Sequence, residues 1–390
     1  MKENFSQKLG KLNIVIVSHI FSSGPALDLE DYLKHKVKSL LFIGHPFPYR
    51  SDKRNFYRLY KKGQLFREHK SLPWNLPEPF FYLKDALYTL YWVLSQKKKI
   101  NLFVGSDNFS AYLGILLKRL GKVKDVIFYT IDYMPTRFKN PVMNFLYHHF
   151  DKTCLKECKV VWNVSPAIKE ERKSRDKEES LANQILVPLG VWYKRIPKIS
   201  FNKKNRYQLV FLGHLLEKQG LDVVLEGLPK IIETYHKTSL VILGTGEYEK
   251  SLKIKAKKLK IGKHVDFRGY VDDHTEVEKI LTESTIGVAM YKPDTTSFTN
   301  WADPAKIKNY LASGLPVILT SVPPIAKVLE RSRCGIIAEY KKDDFAKKVL
   351  EILTNTKQLQ LHSKNARSFA KQFNWDNVFK KAIEETFISF

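Results

Sequence analysis

The sequence predicts an α/β protein of two Rossmann-like domains that face each other across a cleft. Three observations support this. Short β-branched runs alternate with helical stretches, which is typical of parallel sheets. The alternation stops in a polar stretch near residue 200 and then starts again. The chain has 390 residues, enough for two domains of about 150–200 residues each.

The first half opens on the run 12–18, Leu-Asn-Ile-Val-Ile-Val-Ser, which predicts a buried parallel strand. A turn of small residues follows it and contains Ser23 and Gly24. Further strands are predicted at 37–43, 101–104, 125–130 and 160–164. We therefore expect an N-terminal domain over residues 1–190.

Residues 191–206 are predicted to be a linker, because this stretch contains Pro197 and a polar run of Asn and Lys. The C-terminal domain is predicted over 207–370, and 371–390 is predicted as a C-terminal helix that packs back on the N-terminal domain. The strands predicted in the second half are 207–212, 239–243, 264–267, 286–291, 316–320 and 335–338. Ligands of such sheets bind beyond the carboxyl ends of the strands.

Charge is the strongest compositional signal. Lys and Arg outnumber Asp and Glu by 66 to 40, a net charge of +26. Such a field attracts nucleic acid, an anionic membrane or phosphate-bearing substrates, although it can also serve solubility alone. The 3 cysteines argue against a disulfide-stapled scaffold. Since neither a signal peptide nor an apolar run of about 18 residues is evident, we expect a cytoplasmic location.

The segment 303–318 predicts an anion site at a helix start. Asp303 is a suitable N-cap, and Pro304 suits the first helical position. Lys306 then falls in the first turn, where free N–H groups and the positive end of the helix dipole favour a diphosphate. An ordinary capped surface helix with a solvated lysine is the alternative interpretation.

This segment carries a family resemblance. Its pattern Lys306-x-x-x-Tyr-Leu-Ala-x-Gly-x-Pro-Val-Ile, together with Gly213–Gly220, resembles the donor-binding domain of GT-B glycosyltransferases, of the group 1 or family 4 type. The resemblance covers roughly residues 207–346. It implies a hexosyltransferase that takes a UDP- or GDP-linked sugar, with no cofactor and no metal. The acceptor it implies is a glycan or a lipid-linked molecule in cell-surface polysaccharide or glycolipid synthesis.

The resemblance also implies which residues contact the nucleotide sugar. Ser23 and Gly24 are expected in a phosphate-side loop of the first half. The donor-binding candidates are Gly213, His214, Lys218, Gly244, Tyr270, Tyr291, Asp303, Lys306 and Asn309.

Four positions depart from the family pattern. Trp301 and Asn309 stand where two glutamates are usual, His214 replaces an arginine, and Gln219 replaces a lysine. His214 and Lys218 are therefore the two candidates for a second cation that contacts the diphosphate.

Two aspartates in the first half are catalytic candidates. Asp132 ends the predicted strand 125–130 plus its turn, and Asp107 follows the strand 101–104. In an inverting enzyme such a carboxylate removes the proton of the acceptor hydroxyl. Helix capping or turn formation is the alternative role for each. If the family resemblance is taken literally, the reaction is retaining and no base is required.

The tract 47–99 mixes aromatic and basic residues and ends in Lys97, Lys98 and Lys99. A cationic, aromatic amphipathic surface suits an anionic membrane. We therefore expect peripheral attachment at the inner membrane face. The alternative is that 80–94 is a core helix, and nucleic-acid binding is disfavoured because no RNA-binding signature accompanies the tract.

No metal site is expected. Cys154 and Cys158 share a helix face near His149, but these three residues do not complete a tetrahedral zinc site. Asp273 suits a helix N-cap better than a metal ligand. The competing functions are a GT-B sugar-nucleotide epimerase and a non-catalytic protein that binds nucleic acid or membrane.

Overall fold

The computed structural model describes residues 5–20, 24–47, 52–74, 76–176, 183–294 and 297–388. The chain divides into two compact units. Unit 1 consists of Met1–Pro188 with Val378–Phe390, and unit 2 consists of Leu189–Asn377.

Unit 1 is built on a sheet that has eight strands in the described part of the chain. The strands are β1 Asn13–Ile20, β2 Ser39–Pro46, β3 Phe56–Lys61, β4 Gln64–Lys70, β5 Ile100–Gly105, β6 Val123–Thr130, β7 Val160–Asn163 and β8 Gln184–Leu186. Their order is β4-β3-β2-β1-β5-β6-β7-β8, and β1 pairs in parallel with both β2 and β5. The chain therefore changes direction across the sheet between β1 and β5, which is where α/β sheets bind ligands.

The hairpin β3–β4 was not predicted from the sequence. It is antiparallel and adds to the edge of the parallel sheet at β2. Lys62 and Gly63 both have positive φ, as a two-residue hairpin turn requires. β4 is exposed along its whole length and carries charged residues, which protect an edge strand from further pairing.

Six helices precede the second unit in the described residues. They are α1 Phe5–Leu9, α2 Pro25–Leu33, α3 Glu78–Leu94, α4 Asn108–Arg119, α5 Pro141–Glu157 and α6 Pro166–Asp176. The core of unit 1 lies where β1, β5 and β6 pack against α3, α4 and α5. β1 and β5 are apolar on both faces because helices cover both sides of a parallel sheet.

Unit 2 repeats this architecture around a parallel sheet that has six strands in its described part. The strands are β9 Gln208–Leu212, β10 Ser239–Leu243, β11 Val265–Gly269, β12 Ile286–Ala289, β13 Val317–Leu319 and β14 Gly335–Ile337. The helices are α7 Leu221–Thr234, α8 Glu249–Lys258, α9 His274–Glu283, α10 Ala305–Ala312, α11 Ala326–Arg331, α12 Lys342–Thr354 and α13 Thr356–Ala370. A last helix, α14 Trp375–Ile388, begins in unit 2 and continues into unit 1. The order β11-β10-β9-β12-β13-β14 reverses between β9 and β12.

The stretch 191–206, predicted as a linker, lies within unit 2. Lys204 anchors it, because its Nζ donates to the carbonyl oxygens of Thr282, Ser284 and Ser313 at 2.6–3.1 Å. The backbone N–H of Val191 donates to the carbonyl oxygen of Phe373 at 2.8 Å.

From Val378 onward α14 belongs to unit 1. Its Phe379 is fully buried, with its ring centroid 5.5 Å from that of Tyr32 in α2. Further along, the Trp162 indole donates to Thr386 Oγ1 at 3.0 Å in the interior. The end of the chain thus contributes side chains to the core of unit 1.

Candidate functional site

The donor-site candidates of unit 2 gather where the direction of the sheet reverses. The loop after β9 begins with Gly213, and the loop after β10 begins with Gly244. The two loops touch so closely that a Cβ on Gly244 would lie 2.0 Å from the carbonyl oxygen of Gly213. Both glycines have positive φ, 138° and 134°, which favours glycine. Bare backbone is therefore presented at this end of the sheet.

Lys306 points its amine at these loops. A Cβ on Gly213 would lie 3.1 Å from Lys306 Nζ. The amine donates to Gln219 Oε1 at 2.6 Å and lies 4.0 Å from the ring centroid of Phe211. Desolvation lowers the pKa of Lys306 to about 7, because burial disfavours the charged form. An anion placed beside this amine would restore the charge.

Gln219 and Phe211 are the residues of this site that sequence reasoning missed. Gln219 was noted only as a departure from the family pattern, yet it is buried and holds the Lys306 amine. Phe211 was read only as part of a strand. The position of Phe211 near the carboxyl end of β9 could have marked it as a site residue. Only the fold, however, brings the Lys306 amine over its ring.

The predicted N-cap role of Asp303 is wrong. α10 begins at Ala305, and Pro304 occupies the cap position without a side-chain hydrogen bond. Asp303 is instead buried, where one oxygen accepts from Lys308 Nζ at 2.6 Å and the other from the backbone N–H of Leu189 at 2.8 Å. The carboxylate is drawn inward because Lys308 is itself buried and needs a counterion. Its role as a donor ligand stays a prediction.

The remaining candidates differ in how closely they approach Lys306. Tyr291 is buried with its ring centroid 5.3 Å from the Lys306 amine, and burial raises the pKa of its phenol well above the usual value. His214 is exposed beside Gly213. The Lys218 amine lies 4.1 Å from the ring centroid of Phe298.

Two candidates do not point at this cluster. Tyr270 is exposed after β11, with its hydroxyl 3.5 Å from Asp272. Asn309 donates to the carbonyl oxygen of Ala305 in its own helix at 3.3 Å. The structure thus brings together Gly213, Gly244, Tyr291 and Lys306 from the predicted set.

Unit 1 contains a pocket of about 530 Å³. It opens beyond the carboxyl ends of β1, β5 and β6, and α2, α3, α4 and α5 form its walls. Both predicted catalytic residues, Asp107 and Asp132, line it, as does Gly24. Ser23 lies outside the described residues.

Asp107 has several hydrogen-bond partners. It is the N-cap of α4, since one oxygen accepts from the backbone N–H of Ser110 at 2.7 Å. The other oxygen lies 2.9 Å from Ser110 Oγ and 3.0 Å from His19 Nδ1. Burial alone would raise the pKa of Asp107, but His19 and Ser110 hold it below its usual value. A carboxylate with so many donors is a weak base.

Asp132 is the less engaged of the two carboxylates. It is half-exposed in the loop after β6 and forms an ion pair with Arg137, which also lines the pocket. Although burial opposes the charge of Arg137, the neighbouring Asp132 raises the pKa of the guanidinium. Among the predicted acids, Asp132 is therefore the one with carboxylate surface free to meet a ligand.

His19 is a charged residue of the pocket that sequence reasoning missed. Its Nδ1 lies 3.0 Å from Asp107 Oδ2, and its Nε2 lies 3.2 Å from Asp85 Oδ2. Burial opposes the charge, but the two carboxylates outweigh it and raise the pKa of His19 to about 9. The imidazolium therefore donates to both aspartates at neutral pH. The position of His19 near the end of β1 could have marked it as a site residue. Its contact with Asp85 could not be predicted, because the two residues are 66 positions apart in the sequence.

A second histidine behind His19 has the opposite protonation state. Burial lowers the pKa of His45 to about 4, so the ring is neutral. Its Nε2 lies 2.7 Å from Thr89 Oγ1. Lys84 Nζ lies 3.3 Å from Asp85 Oδ1 and supplies a second cation to that buried carboxylate. His19 and the buried groups behind it thus form a compensated set of charges.

The described residues contain neither a candidate metal-binding group nor a helix suited to span a membrane. No group of three or more His, Cys, Asp or Glu side chains is arranged to hold a metal ion. No helix in the same residues combines the length and apolar character that crossing a membrane demands.

Comparison with known proteins gave matches to glycosyltransferases. Residues 193–369 match the family model described as glycosyl transferases group 1. An uncharacterised glycosyltransferase of Methanocaldococcus jannaschii is 26% identical over 245 residues, which are 58% of this chain and 59% of that protein. The chain therefore spans less than two thirds of the length of this relative.

Solved structures match over nearly the whole chain. Anabaena HepE, crystallised with UDP and glucose, gives a TM-score of 0.69 at 12% identity and covers 97% of this chain and 100% of its own. WaaG, a glycosyltransferase involved in lipopolysaccharide biosynthesis, gives 0.65 at 14% identity and covers 95% and 98%. These matches confirm the predicted resemblance: the chain has the GT-B fold, and its residues 193–369 match the model of group 1 glycosyl transferases.

Proposed function

We propose that the protein is a metal-independent hexosyltransferase that moves a sugar from a UDP- or GDP-linked donor to an acceptor. The observation that carries the proposal is the Lys306 amine beside the bare backbone of Gly213, at the reversal point of a parallel sheet. The group 1 domain supports it, and so does the UDP held by the structurally similar HepE.

The chemistry of this site suits a nucleoside diphosphate that leaves. When the bond to the sugar breaks, negative charge grows on the diphosphate. The Lys306 amine and the start of α10 supply positive potential there. Because this interaction strengthens as charge develops, it accelerates the chemical step rather than only binding the donor.

The acceptor we propose is a glycan or a lipid-linked molecule in cell-surface polysaccharide or glycolipid synthesis. The pocket of unit 1 supplies its site, and Asp132 is the base if the sugar is transferred with inversion. The exposed apolar side chains of α3 and the exposed Lys97, Lys98 and Lys99 after it support attachment to the inner face of an anionic membrane. The role of WaaG in lipopolysaccharide synthesis is consistent with such an acceptor.

A thermal-shift panel of UDP-, GDP- and ADP-sugars tests this function. We expect one nucleotide class to raise the melting temperature, because a ligand that binds only the folded state stabilises it. Hydrolysis or transfer of the same sugar should persist in EDTA, since no metal is expected in the site. If no nucleotide shifts the melting temperature, the donor site is wrongly assigned. Activity that EDTA abolishes and Mn²⁺ restores would contradict metal independence.

A further inference from the structure

An apolar stripe runs along the exposed face of α3. Five side chains spaced three or four residues apart are between 48% and 67% exposed: Phe80, Leu83, Leu87, Tyr91 and Leu94. The opposite face of the helix is buried in unit 1 through residues such as Phe81 and Val93. The stripe is thus not the buried side of an ordinary amphipathic helix, and solvent exposure of so many large apolar groups marks an interaction surface.

A second apolar surface lies on α5. Val142 and Phe145 are exposed, and Leu146 is partly so. Leu146 also lines the unit 1 pocket, as does Leu83 of the α3 stripe. Two exposed apolar helix faces therefore reach the rim of one pocket.

The lining of the pocket is aromatic in one part and polar in another. Next to the rim, the rings of Tyr82, Phe109 and Phe150 follow one another at centroid distances of 6.0 and 5.9 Å. His19 and Asp132 belong to the polar lining. A volume of about 530 Å³ lies within the range of sites that enclose small organic ligands. Such a pocket fits a molecule with an apolar chain and a polar end.

We propose that this pocket holds the hydrocarbon chain of a lipid acceptor, which enters past Leu83 and Leu146 while the α3 stripe and the exposed face of α5 rest on the bilayer. The inference rests on the proposed function and narrows its acceptor from a glycan or a lipid to a lipid. Charge complementarity favours a bilayer as the partner, because Lys97, Lys98 and Lys99 are exposed directly after the stripe and attract anionic headgroups.

Binding of n-alkyl β-D-glucosides with six to ten carbons, each below its critical micelle concentration, tests the pocket by calorimetry. We expect the dissociation constant to fall about fourfold for each added methylene, the factor that burial of one methylene implies. UDP or GDP binding is measured on the same preparation. A protein that binds the nucleotide but shows no dependence on chain length overturns this inference and leaves the proposed function intact.

Two matched substitutions separate the pocket from the bilayer contact. Met143→Gln places a polar side chain in the pocket, and Leu87→Gln places one on the stripe away from the pocket. The first should abolish the chain-length dependence but keep sedimentation with anionic vesicles. The second should reduce sedimentation and keep the chain-length dependence. Nucleotide affinity, which reports folding of unit 2, should be unchanged in both.

The same variants test the alternative that a second copy of this chain, rather than a bilayer, covers the stripe. If the protein is a dimer that Leu87→Gln dissociates, and vesicles do not sediment the wild type, the stripe is an interface between copies of this chain and the bilayer contact is refuted. Equal loss of alkyl-glucoside binding in both variants would refute a pocket distinct from the stripe. Vesicle binding that Leu87→Gln weakens, together with retained chain-length dependence, would support the inference.

Discussion

Lys306 is the residue on which the proposed donor site depends most. Its amine is held by Gln219 and lies over the ring of Phe211, in surroundings that lower its pKa to about 7. A bound diphosphate would favour the charged amine and raise this pKa. Nucleotide binding should therefore take up a proton above about pH 7 and weaken as the pH rises further.

Substitution of Lys306 by alanine should weaken nucleotide binding by about 1.5–3 kcal/mol, the scale of a hydrogen bond to a charged group. Calorimetry in buffers of different ionisation enthalpy measures both the affinity and the proton uptake. Lys327→Ala, at an exposed position of α11, is the matched control and should bind like the wild type. Unchanged affinity in Lys306→Ala would remove Lys306 from the phosphate site.

His19 links the stability of unit 1 to pH. Its folded pKa of about 9 lies above the ordinary value of 6.5. Its contribution to the free energy of unfolding is therefore complete below about pH 6.5 and is lost as the pH rises through about 9. A shift of this size corresponds to about 3 kcal/mol for this nearly buried side chain.

His19→Gln should consequently flatten the fall in stability between pH 6.5 and 9. Urea unfolding of both proteins at several pH values measures this, and the difference between them cancels groups that titrate elsewhere. The variant should also be less stable than the wild type at pH 6.5, since Asp85 and Asp107 lose their shared cation. Parallel pH profiles would show that His19 is not the titrating group.

At the scale of elements, α3 combines two roles that a helix usually keeps apart. One face contributes Trp92 and Val93 to the core, while the other leaves the apolar stripe exposed. The interpretation of residues 80–94 as a core helix therefore holds for one face, and membrane docking by the other face stays a prediction. The aromatic and basic tract is also not one surface, because its part 56–70 forms the hairpin β3–β4.

The lysines that follow α3 should provide a salt-sensitive part of vesicle binding. Replacing Lys97, Lys98 and Lys99 by Gln should weaken attachment to anionic vesicles, because each basic residue near such a surface contributes about 1 kcal/mol. Sedimentation with anionic and neutral vesicles at low and moderate salt measures the effect. Nucleotide affinity serves as the control and should not change. Equal sedimentation with both vesicle types would mean that the charge serves solubility alone.

At the scale of the whole molecule, α14 contributes buried side chains to unit 1, although most of unit 1 is formed by residues before 189. Phe379 of α14 is buried against unit 1, close to Tyr32. This contact joins residues more than 300 positions apart in the sequence.

Phe379→Ala should destabilise unit 1 by about 3–5 kcal/mol, the usual cost of truncating a buried phenylalanine. Denaturant unfolding followed by tryptophan fluorescence measures this, and Lys380→Ala on the exposed face of α14 is the control. Nucleotide binding by unit 2 should survive. A variant as stable as the wild type would show that α14 is dispensable for unit 1.

The sequence by itself determined the parallel strands and the resemblance to group 1 glycosyl transferases. The strands β1, β6, β9 and β10 each contain a run of four consecutive apolar residues, and such runs have few alternatives to a buried strand. The start of α10 was predicted within one residue, and Lys306 in its first turn was recognised from local spacing alone. These features are readable because their causes lie within a few residues of each other.

Only the tertiary structure decided how the side chains pair. Asp303 turns to the buried Lys308 rather than capping α10, and His19 collects its carboxylates from two distant segments. Local spacing does not reveal such partners, because desolvation of a buried charge selects the nearest counterion in space and not in sequence. The pocket of unit 1 has the same origin: three strand ends and four helices enclose it, and no one of these elements forms the pocket alone.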